Sequence, residues 1–189
     1  MIRLEQPTFC FNSWDMDRPH YRMWKTVVGE ENMTPKQLAD QIFKANAEAV
    51  KEWRELQNIV LNVHGYTGGL WIGGTNRTPG IMYSEEHTAL FSILKPLNIG
   101  PIWILSCGAA KDDKGKNFCK AFAKAAGTRV LASDATQMVT ASQRLKLALT
   151  WDANNIDEFE GTLYAFNAVG TMRVVDDPSS DPGLMTVRE

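Results

Sequence analysis

One histidine and one cysteine of this chain each stand directly after an apolar, strand-like segment. The segment "NIVLNV" leads into His64 and Gly65, and the segment "IWILS" leads into Cys107 and Gly108. A cysteine attacks carbonyl carbons as its thiolate, and a neighbouring histidine can take the thiol proton and later protonate the leaving group. Backbone N–H groups at the two glycines are suited to binding a developing oxyanion. The two pairs therefore predict a cysteine acyl-transfer site.

This site forms only if the two strands are neighbours in one parallel sheet. Three segments, at 59 to 63, 102 to 106 and 129 to 133, are apolar throughout instead of at every second residue. Such strands are typical of parallel sheets that are covered on both faces. In these sheets ligands bind beyond the carboxyl ends of the strands, so we expect His64 and Cys107 to emerge at the same edge.

Helices are predicted between these strands. "TPKQ" at 34 to 37 has the form of a capping box with Pro35 in the first turn, and apolar residues recur at helical spacing to about Gln57. Further helices are predicted at 84 to 95, 116 to 126 and 137 to 149, with a strand at 7 to 11 and a short hairpin across 70 to 83. Residues 161 to 175 predict a closing β-hairpin.

The predicted architecture is a single α/β domain over residues 1 to 189. It consists of a mainly parallel sheet flanked by helices on both faces, followed by a C-terminal β-hairpin. The loop "KDDKGK" at 111 to 116 is expected to be solvated.

Chain order excludes two familiar layouts. An α/β-hydrolase needs its nucleophile before its histidine, whereas His20, His64 and His87 all precede Cys107. A papain-type enzyme needs an early cysteine at a helix start, and "TFCFNSW" around Cys10 predicts a strand instead.

The order histidine first, cysteine second, each ending a strand, resembles the caspase-like cysteine peptidases of clan CD, which include caspases, legumain, gingipains and separase. The resemblance covers about 58 to 135 and includes "IVLNVHG", "IWILSCGAA" and "GTRVLASDATQ". It implies that His64 is the general base and acid, Cys107 the nucleophile, and Gly65 with Gly108 the oxyanion hole. The caspase pentapeptide around the cysteine is absent, so the resemblance is to a divergent, bacterial-type member.

The same resemblance implies a protein or peptide substrate and no metal or organic cofactor. Asp134 follows the third apolar strand, where separase-like members carry an acidic residue facing the P1 side chain, so a preference for Arg or Lys at P1 is expected. Four aromatic residues are expected to line the substrate groove: Tyr66, Trp71, Tyr83 and Trp103.

Composition limits the partners. The formal net charge is −2 and the pI is about 5.9, so no basic field for nucleic acid exists. No apolar run reaches the roughly 20 residues of a membrane span, and no leader is recognisable. Cys10, Cys107 and Cys119 are expected to be free thiols, with Cys10 and Cys119 packed in the core. A cytoplasmic protein, or one secreted by a leaderless route, is expected.

Two other functions remain open at the level of sequence. One is a non-catalytic binding module on the same fold that recruits a partner or is neutralised by an inhibitor or immunity protein. The other is a cysteine acyltransferase or deamidase with the same pair of residues. If the chain is a peptidase, its size fits a bacterial effector, toxin or defence protease.

Overall fold

The computed structural model describes residues 2–16, 20–73, 81–82, 85–137, 154–178 and 181. Its strands are β1 Ile2–Arg3, β2 Thr8–Asn12, β3 Lys25–Val28, β4 Asn58–Asn62, β5 His64–Tyr66, β6 Gly69–Trp71, β7 Ile81–Met82, β8 Ile102–Leu105, β9 Val130–Ser133, β10 Asn155–Ile156, β11 Leu163–Phe166 and β12 Met172–Val175. The α-helices are α1 Pro35–Glu52, α2 Glu85–Ala89 and α3 Asp112–Ala126, and a 3-10 helix covers Leu90–Leu94.

Seven strands form the main sheet in the order β12-β11-β9-β8-β4-β2-β3. The five strands from β9 to β3 are parallel to one another, and β11 and β12 are antiparallel. The prediction of an α/β fold with a mainly parallel sheet and a C-terminal β-hairpin is confirmed. The apolar segments became inner strands because both of their faces are buried.

The longest helix, α1, begins where the sequence predicts. The Thr34 hydroxyl accepts a hydrogen bond from the Gln37 N–H, and Gln37 Oε1 accepts one from the Thr34 N–H. This reciprocal bonding satisfies two N–H groups that have no partner inside the helix. The buried face of α1, which includes Leu38, Ile42 and Ala45, packs on the sheet.

The two faces of the sheet carry separate cores, because successive side chains of a strand point to opposite sides. On the first face, Phe9, Ile59 and Ile104 pack with residues of α1, α3 and the 3-10 helix. On the second face, Cys10, Val60 and Trp103 pack with Ile2, Leu4, Tyr21, Met23 and Ile156. The helix predicted at 137 to 149 lies outside the described residues.

Three local predictions were wrong or incomplete. The segment 111 to 116 was predicted as a solvated loop; residues 111 to 114 are exposed, but α3 already begins at Asp112 and buries Gly115 against the Ala109 carbonyl. The helix predicted across 84 to 95 changes into a 3-10 helix from Leu90. The strand β3 was not predicted, since its alternating exposure at the sheet edge leaves a weak apolar signal. Within the described residues, no helix is long and apolar enough to span a membrane.

A small second sheet lies at the carboxyl end of β4. It has the order β5-β6-β7, with antiparallel pairing throughout. The hairpin predicted between 70 and 83 is the β6-β7 pair, and β5 is an additional strand that the sequence did not reveal. His64 is therefore the first residue of a new strand.

Candidate active site

Strands β4 and β8 are parallel neighbours whose carboxyl ends stop together. Asn62 pairs with Leu105 at the last position of the ladder, and the Val63 N–H donates to the Leu105 carbonyl at 3.3 Å. His64 and Cys107 each come two residues after that final pair. The register thus brings the predicted histidine and cysteine out at equivalent positions of adjacent strands.

Gly65 lies against the residue that precedes the cysteine. A Cβ atom at Gly65 would lie 1.7 Å from Ser106 Oγ and 3.1 Å from Ser106 Cβ. Ser106 is buried, and its hydroxyl has no hydrogen-bond partner in the described part of the chain. Space therefore favours glycine here, because a side chain at this position would displace either the Ser106 hydroxyl or the β5 strand.

The hairpin of β5 and β6 sets the direction of the Gly65 N–H. Tyr66 and Gly69 close a two-residue turn, and Gly65 pairs with Leu70. In such a hairpin the closing pair exchanges hydrogen bonds and the next pair does not. The Gly65 N–H therefore points away from β6, at the free edge of the small sheet.

His64 sits between an aromatic ring and a carboxylate. Its side chain is 45% exposed, and its ring meets Trp71 edge to face at 6.4 Å between centroids. Its Nε2 lies 3.8 Å from Oδ2 of Asp15. The carboxylate therefore faces the Nε2 edge of the imidazole ring.

Asp15, which lies in the turn after β2, was not predicted as a site residue from the sequence. Ser13 holds this turn, since its N–H donates to the Asn62 carbonyl at 2.9 Å and its hydroxyl donates to Asp15 Oδ1 at 2.6 Å. Below the turn, the buried Asn62 side-chain amide donates to Asn12 Oδ1 at 2.8 Å. Its position just after β2 could have indicated a role at the site, because β2 is parallel to β4 and the carboxyl ends of both strands lie at the same edge of the sheet.

Cys107 differs from the other two cysteines in exposure. Its side chain is half-buried, and its Sγ lies 3.6 Å from the Gln137 carbonyl, to which the thiol can donate. Cys10 and Cys119 are fully buried in the core, as predicted. Burial raises the pKa of both their thiols because the thiolate would be desolvated. Cys107 is thus the one thiol in the described residues that a solvent-borne electrophile can reach.

The structure gives Gly108 a role different from the expected oxyanion donor. Gly108 adopts a positive φ of 60°, which favours glycine, and its N–H donates to the Ala135 carbonyl at 2.8 Å. That N–H is already used to fasten the turn after β8 to the segment after β9. The N–H of Cys107 itself has no hydrogen-bond partner among the described residues, so it remains available as a donor.

Asp134 follows β9 as predicted, but both of its oxygens have structural partners. Oδ1 accepts from the Thr162 N–H at 2.9 Å, and Oδ2 accepts from the Tyr164 hydroxyl at 3.3 Å. The Lys116 ammonium lies 4.9 Å from the centre of the Tyr164 ring. Asp134 therefore links β9 to β11, and a basic substrate side chain would have to share this carboxylate.

Of the four aromatic residues expected in the groove, Tyr66 and Trp71 lie beside His64, with 6.2 Å between their ring centroids. Trp103 is not a groove residue. It is fully buried in the second core, where its Nε1 donates to Asn58 Oδ1 at 2.8 Å, because the side chains of β8 alternate between the two faces. Tyr83 lies outside the described residues. No group of three or more His, Cys, Asp or Glu side chains in the described ranges could hold a metal ion.

The protein thus has an α/β fold in which a histidine and a cysteine follow the carboxyl ends of two adjacent parallel strands. Residues 29–145 match the family model described as "Domain of unknown function (DUF4347)", and the chain belongs to that family. The matched region includes His64, Cys107 and Asp134, whereas Asp15 and the C-terminal hairpin lie outside it. No curated protein matches the chain.

Proposed function

We propose that this protein is a caspase-like cysteine endopeptidase that cleaves protein or peptide substrates with His64 and Cys107. The observation that carries the proposal is the register of β4 and β8, which ends both strands together two residues before the histidine and the cysteine. The caspase pentapeptide around the cysteine is absent, so caspase-type cleavage after aspartate is not part of the proposal.

The proposed reaction begins with transfer of the Cys107 proton to His64. The thiolate adds to the carbonyl carbon of the scissile bond, and the carbonyl π electrons move to oxygen. Collapse of this intermediate breaks the C–N bond, and the departing nitrogen takes the proton from His64. Water, deprotonated by His64, then attacks the thioester carbon and releases the acid and the Cys107 thiolate.

Oxyanion stabilisation is assigned to the N–H groups of Gly65 and Cys107. The Gly65 N–H points away from β6, and the Cys107 N–H follows the last residues of β8. Gly108, whose N–H bonds Ala135, shapes the turn that presents Cys107 instead. Such donors are effective because they are fixed before charge develops on the oxygen.

Asp15 is proposed as a positioning residue for the imidazole. Its carboxylate faces Nε2 of His64 at 3.8 Å, which leaves Nδ1 for the thiol. Because this pair is partly exposed and longer than a hydrogen bond, its contribution to the rate is expected to be modest.

A basic preference at P1 requires Asp134 to bind a substrate side chain in addition to the two hydrogen bonds that its oxygens already accept. A carboxylate retains further lone-pair sites, so it can accept from a substrate as well. Asp134→Asn keeps an acceptor for the Thr162 N–H while removing the charge. A loss of Arg and Lys preference in this variant, without loss of stability, supports the assignment, and unchanged preference refutes it.

The decisive experiment is labelling with a peptidyl acyloxymethyl ketone near neutral pH, followed by mass spectrometry of the labelled cysteine. Selective labelling of Cys107 is expected, and it should fall by at least about a hundredfold in His64→Ala. Cys119→Ala is the matched control, since Cys119 is fully buried. Labelling of Cys107 at the rate of an ordinary thiol, unchanged by His64→Ala, would contradict the proposal.

Product analysis separates the remaining alternatives. A peptidase splits a peptide and adds one water across the broken bond, whereas a deamidase or acyltransferase leaves the peptide backbone intact. If Cys107→Ala retains all of the protein's binding and biological effect, the chain is a non-catalytic module.

A further inference from the structure

A cavity of about 370 Å³ lies at the opposite edge of the sheet from the candidate active site. It is lined by Arg3, Leu4, Glu5, Gln6, Trp53, Arg54 and Asn154. Six of these residues precede β2 or β4 and Asn154 precedes β10, whereas His64 follows the last residues of β4 and Cys107 those of β8. A five-residue strand is about 17 Å long, so this cavity is separate from the candidate active site.

An exposed tryptophan borders the cavity. Trp53 ends α1 and is 66% exposed, although indoles are among the side chains that gain most from burial. The Arg54 guanidinium lies 5.6 Å from the centre of its ring. An accessible ring beside a cation is a surface on which a flat, electron-rich ligand can stack.

The cavity also has an excess of positive charge. Arg3 is exposed and has no partner in the described part of the chain, and Arg54 retains donors beyond the 2.7 Å bond to the Gln6 carbonyl. Among the described residues that line the cavity, the single acid is Glu5, whose Oε2 lies 3.8 Å from the Arg54 guanidinium. Two guanidinium groups against one carboxylate favour a ligand with a small anionic group.

The walls of the cavity are fixed. The Gln6 side chain bonds the Leu4 carbonyl and the N–H groups of Thr8 and Trp24, so the chain between β1 and β2 is held in place. Asn154 has a φ of 91°, a backbone conformation that residues other than glycine rarely adopt. Such strain is concentrated at binding sites, because the surrounding structure must maintain it.

We propose that this cavity binds a nucleoside monophosphate. The base stacks on Trp53, and the phosphate lies between Arg3 and Arg54. The cavity volume fits one ligand of this size and not a polynucleotide, whose binding the net charge of −2 also disfavours. This inference is independent of the proposed peptidase activity.

The test is isothermal titration of the full chain with AMP. We expect one site with a dissociation constant between about 10 µM and 1 mM, weakening as salt is added. Arg3→Gln and Trp53→Ala should each weaken binding by about tenfold, while Trp53→Phe should retain most of it. Glu5→Gln should tighten binding about threefold, because it removes the one repulsive charge.

Lys36→Gln is the matched control, since it removes a positive charge at the other end of α1 and should leave the affinity unchanged. Thermal melting of each variant without ligand verifies that it folds. Inorganic phosphate binding as tightly as AMP would refute a role for Trp53, and adenosine binding as tightly would refute a role for the arginines. Binding of an acidic peptide in place of AMP, or no heat with AMP up to about 5 mM, would overturn the proposal.

Discussion

The contact between Gly65 and Ser106 gives the most direct test of how the candidate active site is built. In Gly65→Ala the new methyl carbon would lie 1.7 Å from Ser106 Oγ, whereas ordinary contacts begin near 3.4 Å. Either the Ser106 hydroxyl must rotate away from its buried position or the two segments must move apart, because the two distances differ by about 1.7 Å. Overpacking of this kind typically costs 1 to 3 kcal/mol, so we expect a loss of about 3 kcal/mol in the free energy of unfolding.

The partner substitution should relieve this cost. Ser106→Ala alone removes a buried hydroxyl without a described partner, so we expect it to be neutral or to stabilise by up to about 1 kcal/mol. In the double variant the nearest remaining contacts are Ser106 Cβ and the Gly69 carbonyl, both at 3.1 Å, which small shifts can accommodate. The two substitutions should therefore couple by about 2 kcal/mol.

Urea unfolding of the wild type, both single variants and the double variant measures this coupling. The rate of Cys107 labelling in the same four proteins reports on the site itself, and it should fall in Gly65→Ala and recover in the double variant. If the two stability changes simply add, within about 0.5 kcal/mol, then Gly65 does not pack on Ser106. The proposed arrangement of β5 against the Cys107 segment would then be wrong.

Three further predictions concern the residues that support this site. Asn12→Ala should destabilise by about 3 kcal/mol, and more than Asn62→Ala, because Asn12 also bonds the Tyr21 N–H and carbonyl; urea unfolding measures the difference. Asp15→Asn, which keeps an acceptor for the Ser13 hydroxyl while removing the charge, should slow Cys107 labelling about fivefold with little change in stability, and an unchanged rate would exclude a positioning role. Above about pH 8.5, stability should fall by about 1.4 kcal/mol per pH unit for each of Cys10 and Cys119, since these thiols ionise in the unfolded chain but stay protonated when buried. Cys119→Ala should remove about half of that slope, and a slope independent of this substitution would refute the assignment.

The sign of the pH prediction follows from the raised pKa of the buried thiols. Above the pKa of the unfolded thiol, the unfolded chain binds fewer protons than the folded chain, so raising the pH favours unfolding. The stabilising contribution is complete below about pH 8.5 and is lost progressively above it. Tyr21, whose pKa is raised by burial and by Asp157, adds to the same trend at still higher pH.

The local order of the chain was sufficient to predict the elements with strong signals. The capping box at Thr34 fixed the start of α1, because its bonds involve residues only three positions apart. The inner strands were recognisable because a parallel strand buried on both faces must be apolar at nearly every position. His64 and Cys107 were identified for the same reason, since each follows such a strand and parallel strands end at a common edge.

Other features depend on residues that are distant in the sequence. The exposure of β3 alternates and β5 has three residues, so neither has a strong signal of its own, and both exist because neighbouring strands offer backbone partners. Trp103 and Trp71 have similar apolar neighbours in the sequence. Trp103 is buried because β8 is an inner strand of the main sheet, whereas Trp71 lies beside His64 because β6 belongs to the small sheet.

The sequence by itself determined the fold class, the succession of inner strands and helices along the chain, and the two residues expected to do chemistry. Only the tertiary structure decided how their surroundings are used. It brought Asp15 to His64, engaged the Gly108 N–H with Ala135, and gave the Asp134 carboxylate partners on β11. The physical reason is that apolar periodicity is written along the chain, whereas a hydrogen bond between groups dozens of residues apart exists only after the sheet has assembled.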